Sequence, residues 1–240
     1  MAEPLLRCPS SFLRGTLEPD PSLGLIERVE TGATPSTVEE AAWDGDIPWL
    51  TPRDLARGDG ELFVSTTERT ISEYGLRRCA AKIMPTGTVM LTKRAPVGIV
   101  AVNVVPMATN QGFLNFVCGQ KIRPAYLAWW FRANRRYLDK VANGSTYPEL
   151  YKSDLFELQI AVPTLEEQDR ALALLSALAF VASMSRSMLC LRTNPEEIAA
   201  MQSASRQSER LIGEILEPLL SGVIDLGRVR LPEQLRLRSP

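Results

Sequence analysis

The chain has 240 residues, 45% of them hydrophobic and 23% charged, with a formal net charge of −1. Those are ordinary proportions for a globular protein of one or two domains. It contains no histidine, which removes the commonest general base, the commonest zinc ligand and every Ser–His or Cys–His nucleophile pair.

In chain order, residues 1–22 are rich in Pro and Ser and read as a partly irregular N-terminal segment without the pattern of a secretion signal. GDIPWLTPRDL (45–55) carries Pro48 and Pro52 and reads as extended or turn-like. TGTVMLTKRAPVGIVAVNVV (86–105) predicts two strands, 88–91 and 97–104, joined by the turn KRAP, because Val and Ile dominate both. FLNFVC (113–118) predicts another strand. AYLAWWFRANRRYLDKV (125–141) has apolar residues near the helical period and predicts one helix. Arg132, Arg135, Arg136 and Lys140 would form its basic face. NGSTYPELYKSDL (143–155) is long for a connector and dense in hydrogen-bonding side chains. FELQIAV (156–162) predicts a last strand.

After Pro163 the pattern changes. Thr164 followed by Glu167 is a capping box. It opens a long helix with a wide apolar stripe that includes Leu172, Leu175 and Leu178. A second helix is expected from Asn194 through Leu211 and Ile215, ending near Gly222. The two would form an antiparallel hairpin. No apolar run is long enough for a membrane span. Cys8, Cys79, Cys118 and Cys190 form no CxxC pair and read as reduced thiols of a cytoplasmic protein. No GxGxxG, no GxxxxGK[ST] and no acidic metal-binding cluster is found.

Charge is unevenly placed. Residues 69–152 carry thirteen Lys or Arg and three Asp or Glu, a net of +10, and the remainder carries −11. A domain-sized basic segment suits a polyanionic partner. A solvated surface whose charges happen to cluster is the alternative.

Several stretches together carry a resemblance: TGATPST (31–37), GDIPWLTPRDL, ISEYGL (71–76), MPTGTVMLTKRAPVGIVAV (84–102), ATNQGF (108–113), NGSTYPELYKSDL, QIAVPTLEEQ (159–168) and ILEPLLSGVIDL (215–226). In order and spacing the chain resembles the specificity subunits of type I restriction–modification systems. The resemblance implies an α+β fold, with a mixed, β-rich target recognition domain over 23–162. A helical conserved region over 163–225, coiled-coil-like, and a basic tail over 226–240 would follow. It implies sequence-specific binding of double-stranded DNA with no catalysis by the chain itself. The partners implied are DNA methyltransferase subunits, which would bind S-adenosylmethionine, leaving this chain without cofactor or metal. A full subunit typically carries two recognition domains and this chain has one. It therefore resembles a half subunit, expected to pair as a homodimer or with another specificity subunit through 165–220.

The residues expected to meet DNA are Lys93, Arg94, Asn110, Gln111, Arg132, Arg135, Arg136, Asn143, Ser145, Thr146, Tyr147 and Lys152. Each also has a structural reading. Family-wide segments suit backbone positioning better than base reading, amides brace turns, and the 143–155 loop would also serve as packing. Residues 56–82, with Arg57, Arg69, Arg77, Arg78 and Lys82, are a candidate specificity segment. The four tryptophans read as core. Two other functions stay open. One is the recognition part of a fused methyltransferase, though no DPPF- or NPPY-like motif for a flipped base is present. The other is a decoy that acts only through protein contacts.

Overall fold

The computed structural model describes residues 13–20, 24–57, 61–94, 96–142, 148–189 and scattered helical residues between 202 and 214. The chain divides into two compact units, one spanning Arg14–Val162 and the other carrying the long helix that follows.

The first unit is built on a five-stranded sheet in the order β2-β9-β6-β7-β4. Its strands are β2 (Ile26–Thr31), β4 (Phe63–Val64), β6 (Val89–Thr92), β7 (Val100–Asn103) and β9 (Phe113–Cys118). Central strands buried on both faces need continuous apolar sequence rather than alternation. VMLT and VAVN are accordingly buried at every position, as is FLNFV. β6 lies antiparallel to both β7 and β9, while β4 runs parallel to β7 at one edge.

A second sheet has the order β5-β3-β8, from β3 (Trp43–Leu50), β5 (Arg69–Ile71) and β8 (Ala108–Thr109). Trp43, Trp49, Ile71 and Ala108 share a core there. Phe113 and Met90 meet Leu50, Met84 and Met107 in another core cluster, so the chain's sulfur-rich stretch fills that space. Strand β1 (Leu13–Thr16) pairs with β10 (Gln159–Val162).

Three sequence expectations change here. The stretch read as one amphipathic helix is two: α3 (Pro124–Ala133) and α4 (Arg135–Val141). Asn134 separates them. Its side-chain amide donates to the Trp130 carbonyl at 2.9 Å, the local competition that makes Asn a poor helix-interior residue. α3 is not amphipathic, since residues 126–131 are all buried. Phe131 packs against Phe116 of the sheet, rings tilted by 47° and centroids 5.2 Å apart. Full burial of such a side chain contributes about 1.5–3 kcal/mol.

The 45–55 stretch is extended as expected in β3, which ends at Leu50, but then enters α1 (Pro52–Arg57), a helix the sequence did not predict. Thr51 and Asp54 form the box that starts α1, the Thr51 hydroxyl donating to the carboxylate at 2.6 Å. Further on, β10 starts three residues later than expected because 152–156 form α5 (Lys152–Phe156). A fifth short helix, α2 (Glu73–Arg78), is capped by the Ser72 hydroxyl, which accepts from Gly75 N–H at 3.1 Å. In chain order it lies between β5 and β6.

In the other unit, α6 (Leu165–Leu189) is the expected long helix. Its capping box is formed, with the Thr164 hydroxyl and the Thr164 N–H both donating to the Glu167 carboxylate at 2.8 and 2.9 Å. Gln202, Ser203, Arg206, Gln207, Arg210, Leu211, Ile212 and Glu214 are helical. The expected hairpin link at Asn194 and the end near Gly222 lie outside the described residues. Cys79 and Cys118 are free thiols, and Cys8 and Cys190 lie outside the described residues.

Candidate nucleic-acid interface

One end of the five-stranded sheet gathers segments that are far apart in sequence. β6 ends there at Thr92, and β9 begins there at Phe113, its register partner. Just beyond them, Lys93 N–H donates to the Gly112 carbonyl at 2.9 Å, which places the 110–112 turn beside the 93–99 turn. Ala33 N–H donates to the Thr109 carbonyl at 3.0 Å, which brings the TGATPST loop to the same place. Gly32 is required by that approach, because a Cβ on it would lie 2.0 Å from the Thr109 carbonyl oxygen. The loop's other side is held by two indoles. Trp43 Nε1 donates to Ser36 O and Trp49 Nε1 to Ala33 O, each at 3.0 Å.

The 93–99 turn is closed on Thr92. Its hydroxyl donates to Pro96 O at 2.6 Å and accepts from Ile99 N–H at 2.9 Å. Gly98 has φ +79°, a conformation that favours glycine. A Cβ there would lie 3.1 Å from Cγ of Arg135. The start of α4 therefore crosses this turn. The segment after residue 147 also returns to it. Leu150 N–H donates to Lys93 O at 2.9 Å, and Lys93 Nζ lies 2.8 Å from the Glu149 carboxylate.

The expected residues thus fall into distinct situations. Arg94, Arg135 and Arg136 form no ion pair among the described residues, and the two on α4 are exposed. Lys93 is only 17% exposed and its charge is matched by Glu149. Asn110 uses its side-chain oxygen to accept Gly112 N–H at 2.8 Å, closing its own turn. Gln111 is exposed, and its oxygen accepts the Thr34 hydroxyl at 2.5 Å. Lys152 donates to the Val29 carbonyl at 2.5 Å on edge strand β2.

Arg132 sits apart on α3. It donates to the Glu61 carbonyl at 2.9 Å and lies 5.1 Å from the Trp129 ring. Burial pushes its guanidinium down to about 10. Asn143, Ser145, Thr146 and Tyr147 lie outside the described residues. All four tryptophans are buried.

The cations of 57–82 are occupied. Arg57 pairs with Glu68, Arg77 with Glu73, Arg78 with Glu39 and Lys82 with Glu30. Arg69 places its guanidinium 3.5 Å over the Trp43 ring. Exposed pairs of this kind add little stability, but they do cancel charge.

Arg53 was not among the expected contacts. It is exposed on α1 beside Pro52, whose ring carbon Cγ lies 2.9 Å from where a Cβ of Gly112 would stand. Its only sequence signal is its place in GDIPWLTPRDL, outside the basic segment. Among the described residues no cluster of Cys, Asp or Glu could hold a metal ion, and no helix is long and apolar enough to cross a membrane.

Comparison with known proteins supplies the context. The family described as "Type I restriction modification DNA specificity domain" matches residues 22–180. The type I restriction enzyme MjaIX specificity subunit of Methanocaldococcus jannaschii is 42% identical over 153 residues, covering 63% of this chain and 35% of that protein. The EcoR124I/EcoR124II specificity subunit of Escherichia coli is 26% identical over 172 residues, covering 69% and 41%. In fold, the chain resembles the crystal structure of the HsdS subunit from Thermoanaerobacter tengcongensis with a TM-score of 0.51 and 20% identity, over 92% of this chain and 48% of that one. The chain spans less than half the length of each of these three proteins.

Proposed function

The chain belongs to the family of type I restriction–modification DNA specificity domains, and from that premise we propose that it recognises a sequence in double-stranded DNA and brings a partner adenine methyltransferase to it. A restriction subunit would use the same address. The chain itself transfers no methyl group and cuts no DNA. S-adenosylmethionine is bound by the methyltransferase, and the complex works in the cytoplasm, away from the membrane.

The observation that carries this reading is the gathering of distant family segments at one end of one sheet, with Arg53, Arg94, Arg135 and Arg136 unpaired among the described residues. Guanidinium groups without a carboxylate suit phosphate oxygens, which they grip bidentately. Phosphate contacts fix register on a duplex, and base contacts then specify sequence.

We further propose that two chains, or this chain and another specificity subunit, pair through residues 165–220. Leu211 is 39% exposed and Leu172 is only partly covered, which supports an apolar contact for a partner on these helices. The side chain of Leu178 and the whole of Ile215, also expected in that contact, lie outside the described residues. Leu175 is fully buried within the single chain and serves its own packing.

The test is reconstitution. The pure chain is mixed with duplex DNA and S-adenosylmethionine, with and without the methyltransferase subunit, and methylated sites are mapped. Site-specific methylation only in the full mixture supports the reading. Transfer by the chain alone would make it an enzyme fragment. DNA-independent binding to the methyltransferase, with no site-specific methylation, would make it a decoy.

A further inference from the structure

We propose that Arg94 and Arg135 form a phosphodiester-binding pair, a site that rests on the DNA-recognition reading above and assigns its backbone contact to two side chains. Arg94 belongs to a turn whose backbone is fixed at both ends: Gly98 N–H donates to Thr92 O at 2.9 Å and Thr92 N–H to Ile99 O at 2.8 Å. Arg135 belongs to α4, and its stem lies against Gly98, 3.1 Å from where a Cβ would be. The two side chains thus leave one small region of surface on separately anchored backbones.

Charge bookkeeping singles them out. Arg57, Arg77, Arg78, Lys82 and Lys93 each have a carboxylate within 4 Å, at 3.8 Å or less. Arg94 and Arg135 have none among the described residues. Lys93, next in sequence to Arg94, is quenched by Glu149. The turn therefore exports one positive charge, and α4 adds a second beside it. Unneutralised cations carried by one turn and by the helix start that packs on that turn at Gly98 repel each other. A bridging anion relieves the repulsion. The planar, bidentate donor geometry of guanidinium matches a phosphodiester better than a single carboxylate.

The experiment uses the full chain and a random-sequence duplex labelled for fluorescence anisotropy, titrated across salt from about 50 to about 200 mM. The double variant Arg94→Gln/Arg135→Gln should lower the log–log salt slope by about 0.9, the value for one lost phosphate contact, and each single variant by part of that. Arg94→Lys and Arg135→Lys, which keep charge and stem, should restore it. Arg77→Gln removes the same charge from a residue already paired with Glu73 and should leave the slope unchanged. If Arg94→Gln and Arg135→Gln behave like Arg77→Gln while the wild type binds DNA with a steep slope, the pair is wrong and the DNA reading stands. If the wild type shows no salt-dependent binding, both are rejected.

Discussion

Lys93 and Glu149, 56 residues apart in sequence, meet at 2.8 Å with side chains only 17% and 24% exposed. Around them, Leu150 N–H donates to Lys93 O and Lys93 N–H to Gly112 O, each at 2.9 Å. The contacts thus fasten residues 149–150 to two turns of the sheet. Their role is to hold the surface in shape.

That role gives a signed prediction. Glu149→Gln leaves a mostly covered ammonium without its carboxylate, at a cost of about 1–3 kcal/mol. Amide exchange at Leu150 should quicken and specific DNA binding should weaken. Were Lys93 a DNA contact held in reserve, the same change would free it, and binding would tighten with a steeper salt slope. Tightening rejects the positioning role.

Two glycines should differ in how badly they tolerate a methyl group. Gly98→Ala forces a non-glycine residue into a left-handed conformation, costing about 1–2 kcal/mol, and presses on the flexible stem of Arg135. Gly32→Ala drives a Cβ to 2.0 Å from a backbone oxygen, which cannot swing aside. Urea denaturation should show Gly32→Ala as the more damaging, by about 1 kcal/mol or more. The reverse order would mean the 31–37 loop is not held against Thr109.

Cys118 supplies a pH test. Burial, with the Glu27 carboxylate adding to it, pushes its thiol up to about 12 from an ordinary 9.0. The folded state holds this proton more tightly than the unfolded state. Its contribution to stability is therefore complete below about pH 9 and is lost as pH rises toward 12. The stability difference between wild type and Cys118→Ala should shift against the wild type over that window. At pH 8.5 the folded thiol should react with a disulfide reagent on the order of a hundredfold more slowly than an unfolded one. Ordinary reactivity in the folded protein would reject the raised thiol.

Self-pairing is read from mass in solution. Sedimentation at tens of micromolar should give a two-chain species, and Leu172→Glu should split it without loss of helix. Leu175→Glu should instead unfold the chain that carries it, costing about 3 kcal/mol or more, because that side chain is fully buried within one chain. A wild-type monomer, unchanged by Leu172→Glu, rejects pairing through this contact. Two-fold pairing further implies a spaced palindromic target, visible in the mapped methylation sites.

How much of this was legible in the sequence varied with cause. FLNFVC became β9 residue for residue, because a short apolar run between turns has few other fates. AYLAWWFRANRRYLDKV was misread as one helix because its apolar period runs straight through Asn134. The break comes from one side-chain hydrogen bond to Trp130 O, which period counting does not register. In TPRD the Thr51 and Asp54 box was present to be read, but two prolines point to extended or turn-like chain, which holds for β3 and not for α1. The gathering of motifs at one sheet end was legible only as shared family membership. Which cations keep their charge was not legible at all. Glu30 with Lys82, Glu39 with Arg78 and Glu149 with Lys93 are long-range pairs, and net charge along a segment cannot show them.

The break at Asn134 has a consequence for how such a unit changes over generations. A single continuous helix would tie the residues that pack the sheet to those that meet solvent, on one rigid axis. With the axis cut, residues 126–131 stay locked in the interior while α4 behaves as a separate fitting on the outside. Substitutions at the exposed positions of α4 then disturb the α3 core little, while Leu138, fully buried, and Gly98 set where the fitting sits. The fold keeps its frame and leaves one surface open to revision.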